Sequence, residues 1–174
     1  MVPQDWMPDC VMARIIFHWT AGAHNASDYD REHYHILVNG DGTIVRGTLS
    51  IAANVNTSDG QYAAHTKNCN TGSIGVSVAA MAEAVESPFD PGPYPITVEQ
   101  WSSLAAVLAD LCMAYGIPVS RETVLSHAEV QDTLEIAQSG KWDISWPPMT
   151  AHEVGDSMRR RVQQLIDYAT PHTA

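Results

Sequence analysis

Short apolar runs of β-type residues, interleaved with segments of helical period, restrict this chain more than any other feature: it must build a sheet and cover it with helices. Residues 14–19, Arg-Ile-Ile-Phe-His-Trp, read as a buried strand with Ile15 and Phe17 on one face and Ile16 and His18 on the other. Residues 34–38 and 43–46 flank Asn39-Gly-Asp-Gly42, a hairpin signal because glycine reaches positive φ at little steric cost. Residues 73–80 form another apolar run, and 124–126 a short one. Two long helices follow from local signals. Thr97 and Gln100 make a capping box ahead of a stripe from Trp101 to Tyr115, and Gly116 ends it; Thr150 and Glu153 open a second helix over 150–169, with Val154, Met158, Val162, Leu165, Ile166 and Ala169 inward. The expected fold class is α/β: a single domain over residues 1–174, with a central mixed β-sheet flanked by helices.

The connections are uneven in length. A short helix fits around 27–32, residues 52–72 lack periodicity, and the proline-rich stretch 87–95 reads as a surface loop. The segment 128–149 is long for a connection, which is common for functional loops; it has room for a short helix within 129–138 and an ordered return at 140–143. Cys10, Cys69 and Cys112 are odd in number and widely spaced, so no disulfide framework is expected. Cys112 falls on the helix stripe as a small buried hydrophobe.

Composition removes several function classes. With 45% hydrophobic and 17% charged residues the chain is globular, and its net charge of -11 argues against binding nucleic acid or adsorbing to anionic lipid. No apolar stretch approaches the roughly 20 residues of a membrane span, so no stable membrane insertion is expected. The N-terminus shows no signal-peptide pattern, and the expected location is the cytoplasm until something releases the protein. Oligomeric state is open, with a monomer as the default.

Three residues stand out chemically: His18 at the end of the first strand, His127 after the 124–126 strand, and Asp143 in Lys141-Trp-Asp. A catalytic zinc site takes three protein ligands and leaves one position open. Ligands this far apart suit a site assembled by the fold at the strand ends, and no His-Glu-x-x-His is present to suggest the helical protease motif. Each residue alone also fits a structural role.

Five segments make the chain recognisable: Ile15-Ile-Phe-His-Trp-Thr-Ala-Gly22, Tyr34-His-Ile-Leu-Val-Asn-Gly-Asp-Gly-Thr-Ile44, Ala64-His-Thr-Lys-Asn-Cys-Asn-Thr-Gly-Ser-Ile-Gly-Val76, Leu125-Ser-His-Ala-Glu-Val130 and Lys141-Trp-Asp143. In this order, over a core of residues 14–146, they resemble the zinc-dependent N-acetylmuramoyl-L-alanine amidases, the family of phage amidase-type lysozymes and peptidoglycan-recognition proteins. The resemblance implies that His18, His127 and Asp143 are zinc ligands, and that Lys141 lies near the scissile carbonyl while Tyr34 faces the attacking water. It further implies that His65 and Asn70 line a groove for peptidoglycan, although His65 by itself equally fits an exposed loop histidine. Trp19, Trp142 and Trp146, near the ligands in sequence, could form groove walls or pack locally. The implied reaction is cleavage of the amide joining N-acetylmuramic acid to L-alanine.

The chain also departs from the family. Ser77 stands where some members carry a glutamate base, which gives weight to the Tyr34 route. The interval from His127 to Asp143 is long, leaving Glu129, Asp132 and Glu135 as substitute ligands. His33 and His35 should point away from the face of Tyr34, Ile36 and Val38, and His24, His152 and His172 read as solvent or packing residues. A phage or prophage endolysin is the expected role. A cytoplasmic amidase recycling wall fragments and a non-catalytic peptidoglycan-binding module are the competitors.

Overall fold

A computed structural model describes residues 1–170. Five strands, β1 (Arg14–Trp19), β2 (Ile36–Val38), β3 (Ile44–Arg46), β4 (Ser73–Val78) and β5 (Val124–Ser126), form one mixed sheet in the order β3-β2-β4-β1-β5. Only the β2/β3 hairpin is antiparallel. Four α-helices complete the fold: α1 (Asp28–His33), α2 (Val98–Tyr115), α3 (His127–Leu134) and α4 (Ala151–Ala169).

The alternation of β1 sorts the two faces of the sheet. Ile15, Phe17 and Trp19 join Ile74, Val76, Val78, Ile36 and Val38 in the main core, covered by Leu104, Leu108 and Leu111 of α2 and Met158 and Val162 of α4. Ile16 faces the other way, with Leu125, Cys69 and Val130 in a small second core. His18 shares that second face and pairs in register with Ser77. The large core thus holds the sheet rigid while the thinner face carries polar residues.

Helix α2 starts and stops where its sequence signals place it. Thr97 and Gln100 form the capping box, and Gly116 closes the helix at φ 62°. Gln100 also donates through Nε2 to the carbonyls of Val38 and Ala79, at 3.1 and 2.8 Å, pinning the ends of β2 and β4 together. Burial pushes the Cys112 thiol up to about 12, in keeping with a packed, unreactive side chain.

Several boundaries differ from the sequence reading, each for a local reason. The strand expected from residue 34 begins at Ile36, because Tyr34 caps α1 and donates its N–H to Asp30. The 73–80 strand ends at Val78. Residues 52–72 overlap a 3-10 turn, Ile51–Asn54. Helix α3 begins at His127, two residues earlier than the 129–138 window, since the Glu129 carboxylate reaches back to accept from Ser126 N–H at the helix start. Along α4, Val154, Met158 and Val162 are buried, Leu165 and Ile166 half-buried, and Ala169 exposed past the edge of the sheet.

The Glu129 side chain is fully buried and does more than cap α3. It accepts from Ser126 N–H at 2.8 Å and from Arg159 of α4 at 2.7 and 3.1 Å, while Arg159 also donates to the Val124 carbonyl at 2.9 Å. Gly155 leaves room for this carboxylate, since a Cβ there would lie 2.2 Å from Oε2. The end of β5 and the start of α3 are thereby fastened to α4.

Candidate metal centre

His18 comes from β1, His127 from the first position of α3, and Asp143 from the loop after α3. A backbone bond from Ala128 N–H to the Asp143 carbonyl, at 2.6 Å, holds that loop against the start of α3. His18 Nδ1 lies 3.1 Å from His127 Nδ1 and 3.1 Å from Asp143 Oδ2; His127 Nδ1 lies 3.3 Å from Asp143 Oδ1. All three side chains are buried. Of the carboxylates weighed as third ligand, Asp143 is the one that joins this cluster; Glu129 is committed to Arg159, and Asp132 and Glu135 are exposed.

The three donors fit a zinc ion. Donors about 2.1 Å from a tetrahedral centre sit about 3.4 Å apart, close to the spacing here. The chemistry of the set agrees. Burial pushes His18 down to about 4, against the raising contact with Asp143, so at neutral pH it is an uncharged imidazole. An anionic oxygen and two ring nitrogens buried together are well matched to a divalent cation and costly without one.

The ring of Tyr34 lies 5.1 Å from that of His18. Burial, reinforced by the charge of Asp143, raises its phenol well above the usual range, so it remains a protonated donor. His65 lies behind His18, with Nδ1 3.3 Å from His18 Nε2. Gly75 admits the ring, because a Cβ on that residue would meet it at 2.5 Å. Asn70 Oδ1 accepts from the N–H groups of His65 and Thr66, at 3.0 and 2.9 Å, and so shapes this turn. A cleft of about 470 Å³ opens beside the cluster, lined by His65, Lys67 and Asn70 on one segment and by His127, Gln138 and Lys141 on the other.

Other predicted residues stand apart from the cleft. Trp19 points into the main core, 6% exposed and edge-on to Trp142 at 4.5 Å, so local packing rather than a groove wall describes the pair. Trp146 packs on Phe89 and borders an apolar hollow between α2 and α4. His24 bonds the Pro95 carbonyl and His152 bonds Glu129, while His172 lies outside the described residues. His33 contacts the Tyr29 carbonyl. One residue of the site had no sequence signal: Gln138, buried in a loop, with Oε1 2.8 Å from His127 Nε2.

His35 is buried between Gly75 N–H, which donates to its Nδ1 at 3.0 Å, and Asn54 Oδ1, 3.0 Å from its Nε2. Burial pushes it from 6.5 to about 4. Between those values the unfolded chain binds a proton that the folded chain refuses, so stability is lost as pH falls through this window. His35 alone should remove about 2–3 kcal/mol from the metal-free protein between pH 7 and 4.5. Denaturant unfolding at the two pH values measures this, and equal stabilities would contradict it.

Comparison with known proteins agrees with this geometry. The family model described as N-acetylmuramoyl-L-alanine amidase matches residues 9–147. The chain belongs to this amidase family. No curated protein matches it in sequence. Among solved structures it is similar to the Staphylococcus aureus hydrolase AmiA, with 16% identity, TM-score 0.55, and coverage of 94% of this chain and 78% of that one. The Ph2119 endolysin from a Thermus scotoductus bacteriophage has 14% identity and TM-score 0.54, covering 88% of each chain. The amidase LysC from Clostridium intestinale has 18% identity and TM-score 0.51, covering 84% and 83%. At these identities the likeness to these neighbours shows a shared fold. Among the described residues no helix is long and apolar enough to cross a membrane.

Proposed function

We propose that the protein is a zinc-dependent amidase that hydrolyses the bond between N-acetylmuramic acid and L-alanine in peptidoglycan. The observation that carries this reading is the convergence of His18, His127 and Asp143 beside an open cleft in a chain of this family. A zinc ion held there would supply a Lewis acid and a water acidified to near neutral pH. The protein's own groups do the rest. Lys141, at the cleft edge, donates to the carbonyl oxygen as negative charge develops on it, a contact of a type worth roughly 3 kcal/mol. Tyr34, kept protonated by burial, donates a hydrogen bond that orients the attacking water. His65 and Asn70 form the cleft wall that receives the substrate.

Charge supports the choice of substrate. Lys67 and Lys141 are the chain's two lysines, and both border this cleft in a protein of net charge -11. A stem peptide carrying free carboxylates is suited to such an edge. In a phage or prophage setting the enzyme would be made in the cytoplasm and reach the wall once the membrane is opened, as one catalytic domain over residues 1–174. The same net charge gives no attraction to an anionic wall, which favours a second reading as an amidase of soluble wall fragments.

Digestion of purified sacculi tests the reaction. New L-alanine amino groups should appear without new reducing sugar ends; reducing ends alone would identify a glycosidase and refute the reading. Faster turnover of soluble muropeptides than of sacculi would select the recycling role. Tight wall binding with no turnover would indicate a binding module.

A further inference from the structure

Neither Gln138 nor His65 is a ligand, yet hydrogen bonds fix where the protons of both histidine ligands reside. Gln138 is 3% exposed. Its Nε2 donates to the carbonyls of Lys67 and Ile136, at 2.8 and 3.3 Å. Carbonyls only accept, so the amide orientation is determined and Oε1 must face His127 Nε2, at 2.8 Å. An amide oxygen also only accepts; Nε2 of His127 therefore carries the proton, and a neutral imidazole then has a bare Nδ1.

The same logic applies to the other ligand. His65 Nε2 lies 3.3 Å from the Ser73 carbonyl and carries the proton, so its Nδ1 accepts from the Thr66 hydroxyl at 2.8 Å; Thr66 Oγ1, its proton so used, and the His65 Nδ1 lone pair are both acceptors toward His18 Nε2, at 3.4 and 3.3 Å, and His18 Nε2 carries the proton. His18 Nδ1 is then bare as well. Two unprotonated nitrogens, 3.1 Å apart, face each other and the Asp143 carboxylate. That arrangement is repulsive unless a cation sits among them.

We propose that Gln138, paired with His65 on the opposite ligand, is a positioning residue that locks the imidazole proton outward and turns the Nδ1 lone pair toward zinc. The inference rests on the metal reading above. Gln138 also ties the 67 loop to the 138 loop, so its two roles must be separated. Outer partners of ligating histidines typically contribute 10–100-fold to metal affinity, and Gln138→Met, which loses both bonds, should weaken zinc binding by about that factor in a chelator competition. Gln138→Glu keeps an acceptor for Nε2–H while losing the donor to Lys67, and should bind zinc within about threefold of wild type.

A second measurement is independent of any variant that fails to fold. In long-range 1H–15N spectra of the metal-free wild-type protein, His127 should carry its proton on Nε2; in Gln138→Met that preference should weaken. Wild-type affinity in Gln138→Met, or a Glu variant as impaired as the Met variant, would overturn the inference and leave Gln138 as a loop tie. A His127 proton on Nδ1 in the wild type would also overturn it. No zinc uptake by the wild-type protein would remove the metal reading itself, and this inference with it.

Discussion

His127→Ala should abolish stoichiometric zinc binding and lower wall hydrolysis about a thousandfold or more, the several kcal/mol of barrier that a Lewis-acid metal supplies. The substitution removes one of three converging donors and leaves His18 and Asp143, too few to close a zinc site. It should leave the fold intact. The bond at the start of α3 runs from Ser126 N–H to the Glu129 carboxylate, and the imidazole takes no part in it. Metal content, sacculus digestion and thermal unfolding separate the outcomes: zinc and turnover disappear while the melting temperature of the metal-free protein stays near that of wild type. Turnover retained without zinc would mean that other groups carry the chemistry.

Glu129→Ala should cost about 3–5 kcal/mol of stability, the range found when one partner of a buried ion pair is removed. Arg159 would keep its guanidinium buried without its main partner, and Ser126 N–H would lose its acceptor. For a domain of this size the melting temperature should fall by on the order of 10 °C. The effect should extend to the site, because Glu129 fixes the first turn of α3 and His127 is its first residue. Zinc affinity should therefore weaken along with stability, although Glu129 touches no ligand. A change below about 0.5 kcal/mol, the scale of an ordinary surface substitution, would show that α3 is held by its other contacts.

What could be read from the sequence follows the range over which each signal acts. The boxes at Thr97/Gln100 and Thr150/Glu153 operate within one helical turn, so they locate α2 and α4 to the residue. The bond from Ser126 N–H to Glu129 is equally local, but Glu129 also answers to Arg159, thirty positions on, and His127 reads in sequence as the end of a strand rather than the start of a helix. The alternation of β1 is enough to separate Trp19 from His18, and it sends the tryptophan into the core. Residue type alone does not separate His18 from His35, since both are buried histidines at or beside a strand. Only three-dimensional contacts do so, Asn54 and Gly75 for one and His127 and Asp143 for the other. The family resemblance singles out His18, His127 and Asp143 for the same reason: it carries information about contacts that periodicity does not. Gln138 escapes both, lying in an aperiodic loop and depending on the Lys67 carbonyl 71 positions away.

The most direct test of the account is anomalous diffraction at the zinc edge from crystals of the zinc-loaded protein. The account predicts one full-occupancy peak about 2.0–2.2 Å from His18 Nδ1, His127 Nδ1 and an Asp143 carboxylate oxygen, with a fourth side open toward the cleft. A peak bound through other side chains, or none at this cluster at saturating zinc, would contradict it.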